Sequence, residues 1–252
     1  MSTLTFPQML RLIEDRSAVL RAAAAEVDLD SLVPGCPDWA VRDLVTHLGE
    51  VQRTWAYIVA AGPSEEPPGE DEIPSAEPDG DLLAWSAAAT GELVRALTAA
   101  GPEQGCWTWW AAASSAPATA GAVARHQVQE AAVHAFDAQE AAGHAEPLPA
   151  PVADDGVGEF VTVSLASMGP WPHEPGQVAL EADGTGTWVV DLDADGARLH
   201  GPQDGPAKPG AWLRGTASDL VLALYGRNTA GEVEIDGDDE LAQQLLEWAD
   251  NE

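Results

Sequence analysis

Apolar residues recur at helical spacing through the first half of the chain. From Pro7 to Glu26 they fall at Met9, Leu10, Ile13, Val19 and Leu20, which predicts a first amphipathic helix. The turn-rich VPGCPDW follows. Asp38 is then positioned to cap a second helix running to about Ala61, because its carboxylate can accept from amides of the first turn. Asp81 to about Ala99 reads as a third helix with Leu82, Trp85, Leu93 and Leu97 on one side. Ala118 to Ala142 reads as a fourth. Four helices of this length fit an antiparallel bundle. Between the second and third, GPSEEPPGEDEIPSAEPDG (62–80) offers many Pro and acidic residues and little to bury, so it reads as an exposed loop.

Near Gly143 the pattern shifts from the 3.6-residue period to short β-like runs. EFVTVSL, QVALEA, TWVVDLD, ARLHG and VEID are separated by Gly and Asp turns, and helices are predicted at Ser218 to Tyr225 and Asp239 to Trp248. The expectation is a mainly α N-terminal four-helix bundle (1–148) followed by a C-terminal α+β domain (149–252).

Composition adds exclusions. With 42 acidic against 11 basic residues the formal charge is −31, which disfavours nucleic acid and anionic membrane surfaces as partners. No apolar run reaches the roughly twenty residues a membrane span needs. The N-terminal segment has charges throughout and reads as a helix of the folded protein, so a cytoplasmic protein is expected. Cys36 and Cys106 are too few for a disulfide scaffold and are expected as reduced thiols.

The chemistry concentrates on the fourth helix. At 100° per residue, with Glu130 at zero, His134 falls at about 40°, Asp137 at about −20°, Gln127 at about 60° and His126 at about −40°. The opposite side, with Arg125, Gln129, Gln139 and Glu140, is expected to face solvent. Polar groups on an inward face must be satisfied, by a metal ion or by a hydrogen-bonded network. Glu130 and His134 can share one divalent ion, zinc for instance, at about 2.0–2.2 Å from each. His47, in the stripe Leu44–His47–Val51 of the second helix, is the third ligand candidate. Two nitrogens and one oxygen leave a coordination position open, the hallmark of a catalytic site. Asp137 can add a ligand, orient an imidazole or accept a proton; His126 can do the same or lie at the rim. Trp109, with the other tryptophans of GCWTWW, can line a pocket or close the end of the bundle.

VPGCPDWAVRDLVTHLGEVQRTW and HQVQEAAVHAFDAQEAAG together resemble the mycothiol-dependent maleylpyruvate isomerase family, DinB-like metalloenzyme bundles. GTASDLVLALYGRNTAGEVEIDGD resembles the family's sterol-carrier-like α+β domain. The resemblance covers nearly the whole chain. It implies His47, Glu130 and His134 as metal ligands and the actinobacterial thiol mycothiol as cofactor or co-substrate. It also implies an active-site arginine, best matched by Arg227, with Arg214 a weaker match; a carbonyl-capping role at a helix end is the alternative for Arg227. The implied activity is metal-assisted attack of a small thiol on an electrophilic small molecule, as isomerase or S-transferase. A non-catalytic metal- or ligand-binding regulator and a water-activating hydrolase are the alternatives. A monomer or homodimer is expected.

Overall fold

The computed structural model describes residues 4–69, 72–73, 78, 80–227 and 233–249. The chain divides into two compact units, Leu4–Ala111 with Pro117–Glu146, and Ala112–Ala116 with the residues from Pro147 onward.

The first unit is a helical bundle of α1 (Phe6–Ala24), α2 (Val41–Ala61), α3 (Leu82–Ala100) and α4 (Ala120–Ala141). A two-stranded hairpin, β1 (Leu32–Val33) and β2 (Cys36–Ala40), joins α1 to α2. Asp81 caps α3 by accepting from the Ala84 amide at 2.8 Å, and Thr119 does the same for α4 through Ala122. Asp38 does not cap α2. It lies in β2, and it is Asp43 that accepts from the Ala40 amide at 2.9 Å, since pairing of β2 with β1 holds the chain extended up to Ala40.

Leu20, Val33, Leu44, Val45, Leu48, Ala135 and Ala138 share one buried cluster. Each fully buried leucine contributes about 1.5–3 kcal/mol. A polar strand crosses this core. Gln52 donates to Ser17 Oγ at 2.8 Å, Thr90 donates to Gln52 Oε1 at 2.8 Å, and Arg21 donates to Thr90 at 3.1 Å, tying α1, α2 and α3 in one register. The helix α4 departs from expectation on its far side: Gln129 and Gln139 are buried. The reason is position, because α4 packs on α1, α2, α3 and β1 together and keeps no broad solvent face.

The second unit places α5 (Ala150–Thr162) before a five-stranded sheet. The strands are β3 (Gly176–Ala182), β4 (Gly186–Asp193), β5 (Gly196–Leu199), β6 (Ala211–Gly215) and β7 (Glu234–Gly237), in the order β5-β4-β3-β6-β7. Among the described residues, only β3 and β6 pair in parallel. The helices α6 (Ala217–Leu224) and α7 (Asp239–Ala249) complete it. EFVTVSL is not a strand. Its first residues end α5, where Val152, Val157, Phe160 and Val161 are buried at helical intervals; Leu165 then opens a short 3-10 turn. Among the described residues no helix is long and apolar enough to cross a membrane.

Candidate metal centre

Residue 47 enters the site because α2 is amphipathic. Leu44, Val45 and Leu48 are fully buried, which turns His47 to the edge of the same seam, its side chain about a third exposed (35%). The helix α4 supplies the other two groups one turn apart. Glu130 Oε2 lies 4.0 Å from His47 Nε2 and 3.7 Å from His134 Nε2. One ligand atom from each of the three lies within 4.8 Å of the others. Two ligands on one tetrahedral ion at about 2.1 Å stand about 3.4 Å apart, so these separations fit a shared cation after small side-chain adjustments. The side chain of His134 is 2% exposed and that of Glu130 15%, so the centre opens to solvent on the His47 side.

Partners behind the three groups fix their orientation. Asp137 is fully buried, and its Oδ2 lies 3.0 Å from His134 Nδ1. A proton on Nδ1, donated to that carboxylate, leaves the Nε2 lone pair directed at Glu130. The Cys36 thiol reaches the same Oδ2 at 3.8 Å. Trp39, to which the sequence alone assigns nothing, stands over both imidazoles, with ring centroids 4.7 Å from His47 and 6.1 Å from His134. The signal for it was present in CPDWAVRD, a tryptophan two residues ahead of a helix that carries a candidate ligand.

On the other side of Glu130, His126 Nε2 lies 3.5 Å from Oε1. His126 is buried among rings: Trp109 at 5.7 Å, Trp110 at 5.5 Å and Trp55 at 6.3 Å. Trp110 is fully buried and donates its indole N–H to the Pro117 carbonyl, which makes it core. Trp109 is 41% exposed and forms an accessible wall. Burial pushes the Cys106 thiol up to about 11, so that sulfur stays protonated and unreactive. Neither cysteine is in a disulfide.

In the α+β unit, Arg227 is buried and donates to the Tyr225 carbonyl at 2.6 Å, just past the end of α6. A bond of this kind is what the carbonyl-capping alternative expects. Arg214 binds Glu181 and Asp236 across the sheet. A second cluster of ligand types, Asp191, His200 and Asp204, lies in this unit. There Arg198 already bridges the two carboxylates, at 2.8 Å from each. The imidazole of His200 donates to the Gly205 carbonyl and pairs with Asp191 at 3.0 Å; these two contacts, in that order, raise its pKa above 6.5. A raised value means that this contribution to stability is complete below the ordinary histidine pKa and fades as pH climbs through the folded one. NMR titration of the ring is expected to give a midpoint above 6.5, and Asp191→Asn to lower it. A ring that titrates at or below 6.5 would contradict the contact geometry.

Residues 10–139 match the family model of the mycothiol maleylpyruvate isomerase N-terminal domain, and residues 151–244 that of the family's C-terminal domain. The chain belongs to the mycothiol maleylpyruvate isomerase family. Two crystal structures of the mycothiol-dependent maleylpyruvate isomerase, one of them a histidine-to-alanine mutant, resemble this family member along its length. TM-scores are 0.59 for the unmutated protein and 0.61 for the mutant; in both cases 93% of this chain and 95% of the other are covered at 16% identity. At that identity the likeness speaks for the fold. No curated protein matches the chain.

Proposed function

We propose that this protein is a metal-dependent enzyme that activates mycothiol for attack on an electrophilic small molecule, as an isomerase or S-transferase. The observation that carries the reading is the convergence of His47, Glu130 and His134 on one point that remains open to solvent. A divalent cation held there, zinc for instance, would favour the thiolate over the thiol.

The chain's own groups do the rest. Asp137 holds His134 with Nε2 inward. His126, with Nε2 on Glu130 and its ring against Trp109, is placed to take the proton that the thiol gives up. Trp109, partly exposed, packs edge-on against the His126 ring and offers an apolar wall beside it. With a cis-alkene as electrophile, thiolate addition, rotation about the new single bond and elimination return the thiol unchanged. With a leaving group on the carbon, the same thiolate gives transfer. In support stand the family membership and the mycothiol dependence named for the two similar crystal structures.

Calorimetric titration with mycothiol, on zinc-loaded and on chelator-treated protein, tests this. Binding is expected only with zinc, with an enthalpy that changes with the ionisation enthalpy of the buffer, because a proton leaves the thiol. Zinc retention without any response to the thiol would overturn the thiol reading in favour of water activation.

A further inference from the structure

Cys36 opens β2 directly after the two-residue turn Pro34–Gly35, where its backbone pairs with Val33. The side chain is half-buried and packs against the cluster that holds Ala135 and Ala138 of α4. Its thiol donates to Asp137 Oδ2 at 3.8 Å, a weak bond of the kind sulfur makes. His134 Nδ1 lies 3.0 Å from that same oxygen. One acceptor atom thus joins a side chain of the hairpin to a candidate ligand on α4.

The sulfur is not among the ligand atoms of His47, Glu130 and His134 that converge within 4.8 Å. Its route to the centre therefore runs through the carboxylate. The terminal torsion of an aspartate is broad, and a second donor on Oδ2 narrows it. A carboxylate held in one plane holds the ring it faces. With Nδ1 engaged, Nε2 presents its lone pair toward Glu130 Oε2, 3.7 Å away. Trp39, three residues further along the same strand, covers the His134 ring with centroids 6.1 Å apart. The hairpin thus bears on one imidazole both at its edge and on its face. A residue that only filled space at position 36 would need apolar volume, and would have no reason to place its donor on an oxygen that already holds a ring nitrogen.

We infer that Cys36 is a positioning residue: through Asp137 its thiol orients the His134 ring, and with it the grip of the three candidate ligands on a cation. The part that concerns the cation rests on the function proposed above. The part that concerns the ring does not.

Two readouts keep them apart. In metal-free protein, NMR follows exchange of the His134 Nδ1 proton with water. Cys36→Ala is expected to speed that exchange about threefold or more, because protection follows how firmly the bonded pair is held, and Cys36→Ser, which restores a donor, to return it near the wild-type rate. Competition with a chromophoric chelator gives the zinc Kd. Cys36→Ala is expected to weaken zinc about fivefold, less than the roughly ten- to hundredfold expected for Asp137→Asn, whose side chain meets the ligand directly. Cys36→Ser is expected to stay within about twofold of wild type, and removal of the thiol in the Asp137→Asn background to add less than about twofold, since the two residues act in series. Urea unfolding of each metal-free variant reports stability separately.

A renewed fivefold loss in the Asp137→Asn background would overturn the inference, because the thiol would then act by another route. So would a serine variant as poor as alanine, or a lowered unfolding midpoint with zinc affinity and proton exchange unchanged; either result makes Cys36 a core filler. Wild type without zinc affinity would sink the proposed function, and the exchange rates in metal-free protein would still settle the role of Cys36.

Discussion

On the function proposed above, His47→Ala and His134→Ala are both expected to abolish stoichiometric zinc binding and to lower thiol turnover more than about a hundredfold, the upper end of what loss of an outer-shell partner costs a metal site. The two should differ in stability. His47 is about a third exposed, so its removal takes away a ligand without opening the core. His134 is buried against the fully buried Asp137 carboxylate. Its truncation leaves that carboxylate short of its imidazole partner, at a cost of about 1–3 kcal/mol. Metal analysis and thermal unfolding in the presence of chelator give both readouts. Full zinc stoichiometry in His47→Ala would remove the histidine from the site.

Gly49→Ala is expected to destabilise the bundle by about 2 kcal/mol, against the usual direction for this exchange. In an exposed helix interior, alanine is better than glycine by about 1 kcal/mol. Here a Cβ would overlap the ring carbons Cζ3 and Cη2 of Trp85 on α3. That ring has little freedom to retreat: it is buried, and the Arg53 guanidinium covers it with 4.9 Å from carbon to centroid. Overpacking of this kind costs about 1–3 kcal/mol, and the lost helical gain does not offset it. Chemical denaturation provides the measurement; an unchanged or raised midpoint would show that Trp85 moves aside freely. The glycine after HL is thus explained by the close approach of α2 and α3, on the side of α2 turned away from His47.

Where the chain is periodic, the sequence was a good guide. The third helix could be read because Leu82, Trp85, Leu93 and Leu97 fall on one side at helical spacing. His47, Glu130 and His134 could be brought together because helical geometry fixes the faces of α2 and α4 before any packing is known. The failures fall where neighbours decide. EFVTVSL carries β-branched residues that favour a strand, yet burial every three to four residues made its first part the end of α5. AWLRG, next to a PAKPG turn, passed unread and became β6, which pairs with β3 and β7 inside the sheet. Gln129 and Gln139 looked fit for solvent only because a helical wheel cannot show three helices around one. The position of Trp39 over the imidazoles depends on a hairpin whose pairing of Leu32 with Ala40 is not written in either strand alone.

That hairpin makes the connection from α1 to α2 a working part of the centre rather than a spacer. Cys36 leans on the carboxylate that steadies one imidazole, and Trp39 covers two of them, so both residues are set by the length of the segment before α2. Inserting or deleting a single residue between Val33 and Ala40 would swing alternate side chains to the opposite face of the ribbon and lift this roof off the histidines. Attempts to graft the bundle's chemistry onto another four-helix scaffold would therefore need to carry the hairpin along with the helices.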